Sequence, residues 1–336
     1  MRRIVMSAWI FLASASGAAW AEDFYKGKTI TIINSTGNGG SYYNIAQAMA
    51  RHMPKYIPGS PAIIVKSMPG GGNVLATNFM YVSAPKDGTY IATINNSIPL
   101  HQALDGRGIQ YDVTKFNWLG STGTYNSIAY VWSKAGFKTI QDVFEREVIL
   151  GGTGVGSSIV IYPAAMNSLL GAKFRIVLGY KATSEIDLAM ERGEVQARTG
   201  SYTGLRSDHP DWLSEKKVNI LMQIGSKRDP DLPDVPLLSE LGRTEDERKI
   251  LELISSPIAL GRPYLAPPGV PTDRLEMLRS AFARTLRDEA FLAEAQKMDH
   301  EIAPQSAEEI AAIVEATIKA PPSIIQRAKE VMGPME

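Results

Sequence analysis

Three stretches of this chain bring glycine and small hydroxyl residues together: STGNGGSYY at 35–43, SMPGGGN at 67–73 and GGTGVGSS at 151–158. Each follows a β-branched run and leads into a helical pattern. A glycine-rich turn at a helix start leaves backbone N–H groups without intrahelical partners, and the helix dipole adds positive potential there. That is the chemistry of anion capture. Three kinds of anion fit such turns: a nucleotide phosphate, a reacting substrate, or a small anion that is only held.

The residues argue against the first two. Gly152, Gly154 and Gly156 recur every second residue, and Ser157 stands where a dinucleotide loop needs its third glycine. The next strand ends in Gly179-Tyr180, with no acid for a ribose, and no turn carries the lysine of a phosphate-binding loop. No G-x-S-x-G elbow or H-E-x-x-H helix is present. His52, His101, His209 and His300 are scattered and read as packing or surface residues, His300 as a partner for a helix C-terminus. No catalytic residue, cofactor or metal site is assigned. What remains is a carboxylate held without chemistry. For any one turn alone, the glycines could equally serve only a tight strand-to-helix connection.

The elements that must position these turns follow from periodicity. Lys28 to Asn34 and Ala62 to Lys66 read as strands, Tyr42 to Met53 and Val74 to Val82 as helices, and the segment opened by Asp87-Gly88 as a third strand to about Asn95. This βαβαβ order implies a parallel sheet with crossover helices. A second block repeats it: strands at Val148 to Leu150, Phe174 to Gly179, Val195 to Thr199 and Val218 to Ile224, and a helix from Ile159 to Leu170 stopped by Gly171. Ser184 and Asp187 have capping-box spacing for a further helix. The tail from Thr272 is helical, with more helix from Ala307 to Met332. Two α/β blocks with strand segments between them, at about Phe116 to Val131 and Ser256 to Leu265, imply two lobes joined by two crossings. The turns fall at carboxyl ends of strands, where open α/β sheets bind ligands.

The bulk composition sets the setting. Arg2 and Arg3, the apolar run Ile4 to Leu12, and Ala19-Trp20-Ala21 form a secretory leader expected to be cut after Ala21. No cysteine is present for a disulfide framework or a lipid anchor. A soluble periplasmic protein is therefore expected. Without Arg2 and Arg3, 33 basic residues face 35 acidic ones, which is no nucleic-acid footprint.

Taken together, GNGGSYYNIAQAMARHMPKYIPGSPAIIVKSMPGGGN, APKDGTYIA, GTGVGSS, RDPDLPDVPLLSELG and LAPPGVP resemble the periplasmic solute receptors of tripartite tricarboxylate transporters, the Bug-type receptors. The resemblance spans nearly the whole mature chain. It implies an α/β, two-lobed periplasmic binding protein fold of type II-like, Venus flytrap form. Lobe 1 is expected to comprise 22–121 and 257–336, and lobe 2 to comprise 122–256. It implies a non-enzymatic receptor that captures a small carboxylate (a di- or tricarboxylate or an aromatic acid) and delivers it to the small and large membrane subunits of the transporter. The receptor itself is expected to be a monomer. A periplasmic enzyme acting on a small carboxylate, or a ligand sensor without a transport role, are the alternatives.

Residue by residue, the resemblance places Ser35, Gly39, Gly40, Ser41, Tyr42 and Tyr43 in one first-lobe carboxylate loop, and Pro69, Gly70, Gly71 and Asn73 in the other. The strand end at Asn95 to Ser97, with Asn96 and Ser97 as the contacts, lines the same cleft. The second lobe contributes Thr153, Gly156, Ser157 and Ser158 at a helix start, and Tyr180, Ser201 and Tyr202 at strand ends. Family members usually carry Asp where this chain has Tyr43, and Arg where it has Gln47. Tyr43 removes a negative charge beside an anion site, and it joins Tyr42, Tyr125, Tyr180 and Tyr202 as a candidate aromatic lining. Arg198 sits near a strand end, with alternation that leaves open whether it faces the cleft or solvent.

Overall fold

The computed structural model describes residues 24–332 except 105, 107 and 226. The expected leader lies outside the described residues.

The first sheet is built from β1 (Thr29–Asn34), β2 (Ala62–Ser67), β3 (Tyr90–Thr93), β4 (Asn117–Ser121) and β10 (Pro263–Ala266), in the order β2-β1-β3-β10-β4. β1 pairs in parallel with both β2 and β3, while β10 runs antiparallel between β3 and β4. The second sheet repeats the design. β5 (Ser127–Trp132), β6 (Val148–Gly151), β7 (Phe174–Val177), β8 (Ala197–Ser201) and β9 (Val218–Ile224) lie in the order β7-β6-β8-β5-β9. Here β6 is parallel to β7 and β8, and β5 runs antiparallel between β8 and β9.

The central strands of each sheet are buried on both faces, while the edge strands β2 and β7 leave one face partly open, and strand alternation decides which side chain joins which core. In β1, Ile30 and Ile32 enter the core under the helices Ser41–His52 and Thr272–Thr285, and Ile33 enters the core on the opposite face. In β5, Ala129 and Val131 pack on one side with Leu150 and Ile161, whereas Ile128 and Tyr130 pack on the other with Trp212. This is a two-lobed periplasmic binding protein fold.

The chain passes between the sheets at 122–126 and again before β10, and it makes one further pass that sequence reading did not anticipate. The helical tail breaks at Pro321-Pro322. Helix Ala307–Ile318 stays on the first sheet, with Ile310 and Val314 in its core. Helix Pro322–Met332 packs on the second lobe beside helix Glu245–Ser255, and Ala328 is fully buried in that core. The last helix therefore departs from the expected assignment of 257–336 to lobe 1. Proline lacks the donor to continue a helix, so the break allows the chain to change lobes.

Candidate functional site

The carboxyl ends of the parallel strands of both sheets open onto one cavity of about 350 Å³ between the lobes. β1 leads to Ser35, Thr36 and the Gly39-Gly40-Ser41-Tyr42 turn, β2 to Pro69 through Asn73, and β3 to Asn95. From the other side, β6 leads to Thr153 and Ser157 through Ile159, β7 to Gly179 through Thr183, and β8 to Gly200 and Ser201. The glycines sit there because the backbone needs them. Gly39, Gly40, Gly70, Gly71 and Gly72 all have positive φ, between 54° and 148°, a region that suits a residue without Cβ.

Several helix N-termini converge on this space. Ser157 caps helix Ser158–Ala165 through Ile159 N–H at 3.3 Å, and Ser201 caps helix Tyr202–Asp208 through Gly204 N–H at 2.9 Å. The other two have no side-chain cap. Helix Ser41–His52 starts at Gly40, and helix Thr183–Glu191 starts at Ala182. These two uncapped ends meet across the cleft, so close that a Cβ on Gly40 would lie 2.7 Å from Thr183 Oγ1. The Ser184–Asp187 capping box expected from sequence does not form. Ser184 Oγ reaches Asn38 O on the other lobe at 3.3 Å, and Asp187 is drawn into a buried ion pair.

The lobes touch on both flanks of the cavity. Gly37 N–H donates to Lys181 O at 3.0 Å, and Ser97 Oγ lies 2.7 Å from Gly156 O. Gly72 abuts the backbone of Gly154 and Gly156. Arg206 holds Asp299 with two bonds of 2.7 and 2.8 Å. The molecule is thus in a closed arrangement.

Behind the first-lobe turn, Tyr42 OH donates to Gly261 O at 3.1 Å, accepts from Asn96 N–H at 3.3 Å and lies 3.3 Å from Tyr125 OH. Burial pushes both phenols above their ordinary range, which keeps them neutral. In the second lobe Arg198 is buried and faces the cavity past Gly200, where a Cβ would lie 2.2 Å from Arg198 Nη1. Its Nε and Nη2 donate to Asp187 at 2.5 and 3.1 Å, and its guanidinium lies 5.0 Å over the Tyr130 ring. Burial opposes both charges, but their mutual attraction prevails. Asp187 is held below the usual carboxylate range, and Arg198 is raised further above its own.

Most of the residues singled out from sequence line the cavity: Ser35, Gly39, Gly40, Ser41, Tyr42, Pro69, Gly70, Gly71, Asn73, Thr153, Ser157, Ser158, Tyr180 and Ser201. The exceptions are Tyr43, Asn96, Ser97, Gly156 and Tyr202. Tyr43 lies two residues past the helix start at Ser41, and its OH accepts from Gln47 Nε2 at 2.6 Å along the helix face. Asn95, not Asn96, reaches the cavity, because Asn96 turns back to Tyr125. Ser97 and Gly156 are spent on the interlobe contact. Tyr202 is buried against Arg206. Sequence reading missed Ser127, Thr183 and Asp208, and it left Arg198 open. His300 is no helix-end cation: burial, with Arg262 nearby, lowers its pKa to about 3, and both ring nitrogens lack hydrogen-bond partners among the described residues.

The sequence model of the tripartite tricarboxylate transporter family receptor matches residues 45–329. The chain belongs to this family. Its members are periplasmic solute-binding proteins and not enzymes. Among relatives of this receptor family, the UPF0065 protein in the gbd 5′ region of Cupriavidus necator is 25% identical over 331 residues, covering 96% of this chain and 93% of the relative. Among solved structures, the periplasmic binding protein BugD superposes with a TM-score of 0.73 at 18% identity, covering 91% of this chain and 98% of its own. MatC of Rhodopseudomonas palustris with bound malate gives 0.70 at 19% identity, covering 91% and 99%. At these identities the structural likeness speaks for the fold.

Proposed function

We propose that this receptor closes its lobes on a small carboxylate in the periplasm, after removal of its leader at Ala21, and presents it to the small and large membrane subunits of a tripartite transporter. One observation carries the reading. The uncapped N-termini of helices Ser41–His52 and Thr183–Glu191 face each other across the cavity. Two positive dipole ends brought together repel, and here both ends are partly exposed, with only the exposed Glu185 supplying an acid to the first turn of the second helix. An anion between them turns that repulsion into two attractions, each worth up to about 2 kcal/mol when partly buried. The malate held by MatC supports a carboxylate as that anion. A cavity of about 350 Å³ lies at the small end of ligand sites, and Tyr42, Tyr125 and Tyr180 on its wall offer ring surface to an aromatic acid.

The cavity-lining glycines and serines are proposed as the ligand contacts, and Tyr43, Asn96, Ser97, Gly156 and Tyr202 as supports or bystanders. We further propose that 22–121 with 257–320 move as one body, and 122–256 with the last helix as the other. Thermal-shift screening of the mature protein against mono-, di-, tri- and aromatic carboxylates tests the reading. A ligand at a hundred times its Kd should add about 2.7 kcal/mol of stability. A panel with no stabilising carboxylate sinks it.

A further inference from the structure

We infer that Asp208 makes this receptor select ligands that carry a protonated amino group as well as a carboxylate. The inference rests on the solute-binding reading above and names the ligand class within it.

Asp208 closes helix Tyr202–Asp208 and lines the cavity. Its only hydrogen bond among the described residues comes from the neighbouring Ser207 hydroxyl, at 3.1 Å. No cation there lies within ion-pair distance of it. The nearby guanidinium of Arg198 is already answered: Nε and Nη2 are held by Asp187, and Nη1 donates to Thr199 O at 3.3 Å. His209 Nε2 also turns to Asp187, at 3.1 Å. Lys181 stands exposed at the rim and forms no ion pair with Asp208. This wall therefore sets Asp187 and Asp208 against the guanidinium of Arg198 and the imidazole of His209, both of which are bonded to Asp187 and not to Asp208. Burial pushes the Asp208 carboxyl above its ordinary range, against the opposing pull of the Ser207 hydroxyl, Arg198 and His209.

The cavity is thus polarised. Its helix-start walls favour a negative group, and its Asp208 wall favours a positive one. A plain dicarboxylate would bring a second negative charge to a wall that already has an excess. An ammonium group would supply the missing cation and up to three donors.

The test is calorimetric titration with pairs that differ only in the α-amino group: succinate and aspartate, glutarate and glutamate, phenylpropionate and phenylalanine. The amino member of at least one pair should bind about tenfold more tightly than its partner or better, and Asp208→Asn should remove about tenfold of that preference. Asp208→Ser, which also deletes the charge, should behave alike. Neither variant should lower the melting temperature without ligand, because each removes an unanswered charge. Carboxylates that bind without amino preference, or a preference that survives both variants, overturn this inference and leave the carboxylate-receptor reading standing. A fall of several degrees in both variants would show a structural partner for Asp208 and would also overturn it. A panel in which nothing binds removes both.

Discussion

Gly72 is the residue on which closure turns. With φ 63°, ψ 38°, it occupies the left-handed region, and a Cβ there would lie 2.4 Å from Gly156 N on the opposite lobe. Backbone cannot move aside as a flexible side chain can. Gly72→Ala should therefore hold the lobes apart. We expect ligand affinity to fall at least about tenfold, while the unliganded protein loses only the about 1 kcal/mol typical of a left-handed alanine. Titration calorimetry beside a urea melt separates the two, and normal affinity would show that the lobes close elsewhere. Tyr43→Asp, by contrast, should leave affinity within about twofold, since its hydroxyl pairs with Gln47 away from the cavity. Tyr43 and Gln47 form a neutral hydrogen bond at i, i+4 spacing along the helix.

Buried charge decides the behaviour of single elements. Strand β8 and helix Thr183–Glu191 are joined by Arg198–Asp187, with both side chains 5% exposed or less. Asp187→Ala should cost about 3–5 kcal/mol, because it leaves a buried guanidinium without its counter-ion; urea unfolding reads it directly. Two buried histidines give the pH dependence. Burial lowers His101 to about 4 and His300 to about 3. Both bind protons more readily in the unfolded chain, near pH 6.5, so stability falls as pH drops from about 6.5 towards those values. The slope is about 1.4 kcal/mol per pH unit for each. His300→Leu removes one of the two and should flatten the stability–pH curve over that window. An unchanged curve would mean that another group sets it. The last helix has its own test: truncation after Ala320 uncovers the site of Ala328 and should cost the second lobe on the order of 2 kcal/mol.

At the scale of the whole molecule, closure is held by several small contacts and not by one strong one. Arg206 and Asp299 are 38% and 41% exposed, so their bridge contributes at most about 1 kcal/mol. Asp299→Asn should weaken ligand binding by less than about fivefold. The ligand is expected to add to this bias, since it bonds both lobes at once and Glu185 answers only one of the two opposed helix ends. Small-angle scattering should accordingly show a smaller radius of gyration with saturating ligand than without it. An identical profile despite tight binding would mean a receptor that is already closed when empty.

The amino-acid sequence by itself determined the two α/β blocks, the glycine-rich turns at strand ends and most of the residues that line the cavity. Each of these is a local matter of periodicity, turn chemistry and the need for positive φ. Only the tertiary structure decided the rest. Whether Arg198 faced cleft or solvent depended on Asp187, eleven residues away on another element, and the same ion pair diverted Asp187 from the capping box its spacing suggested. That Asn95 and not Asn96 reaches the cavity depended on Tyr42 and Tyr125 claiming Asn96 from behind. Asp208 had no sequence signal, because its place on the cavity wall depends on helix Tyr202–Asp208 packing beside β8. The last helix changes lobes because its apolar face fits the second core better than open solvent, and no periodicity names the partner of a face. Local propensity is written along the chain, whereas counter-charges, backing residues and partner surfaces are supplied by segments brought together only on folding.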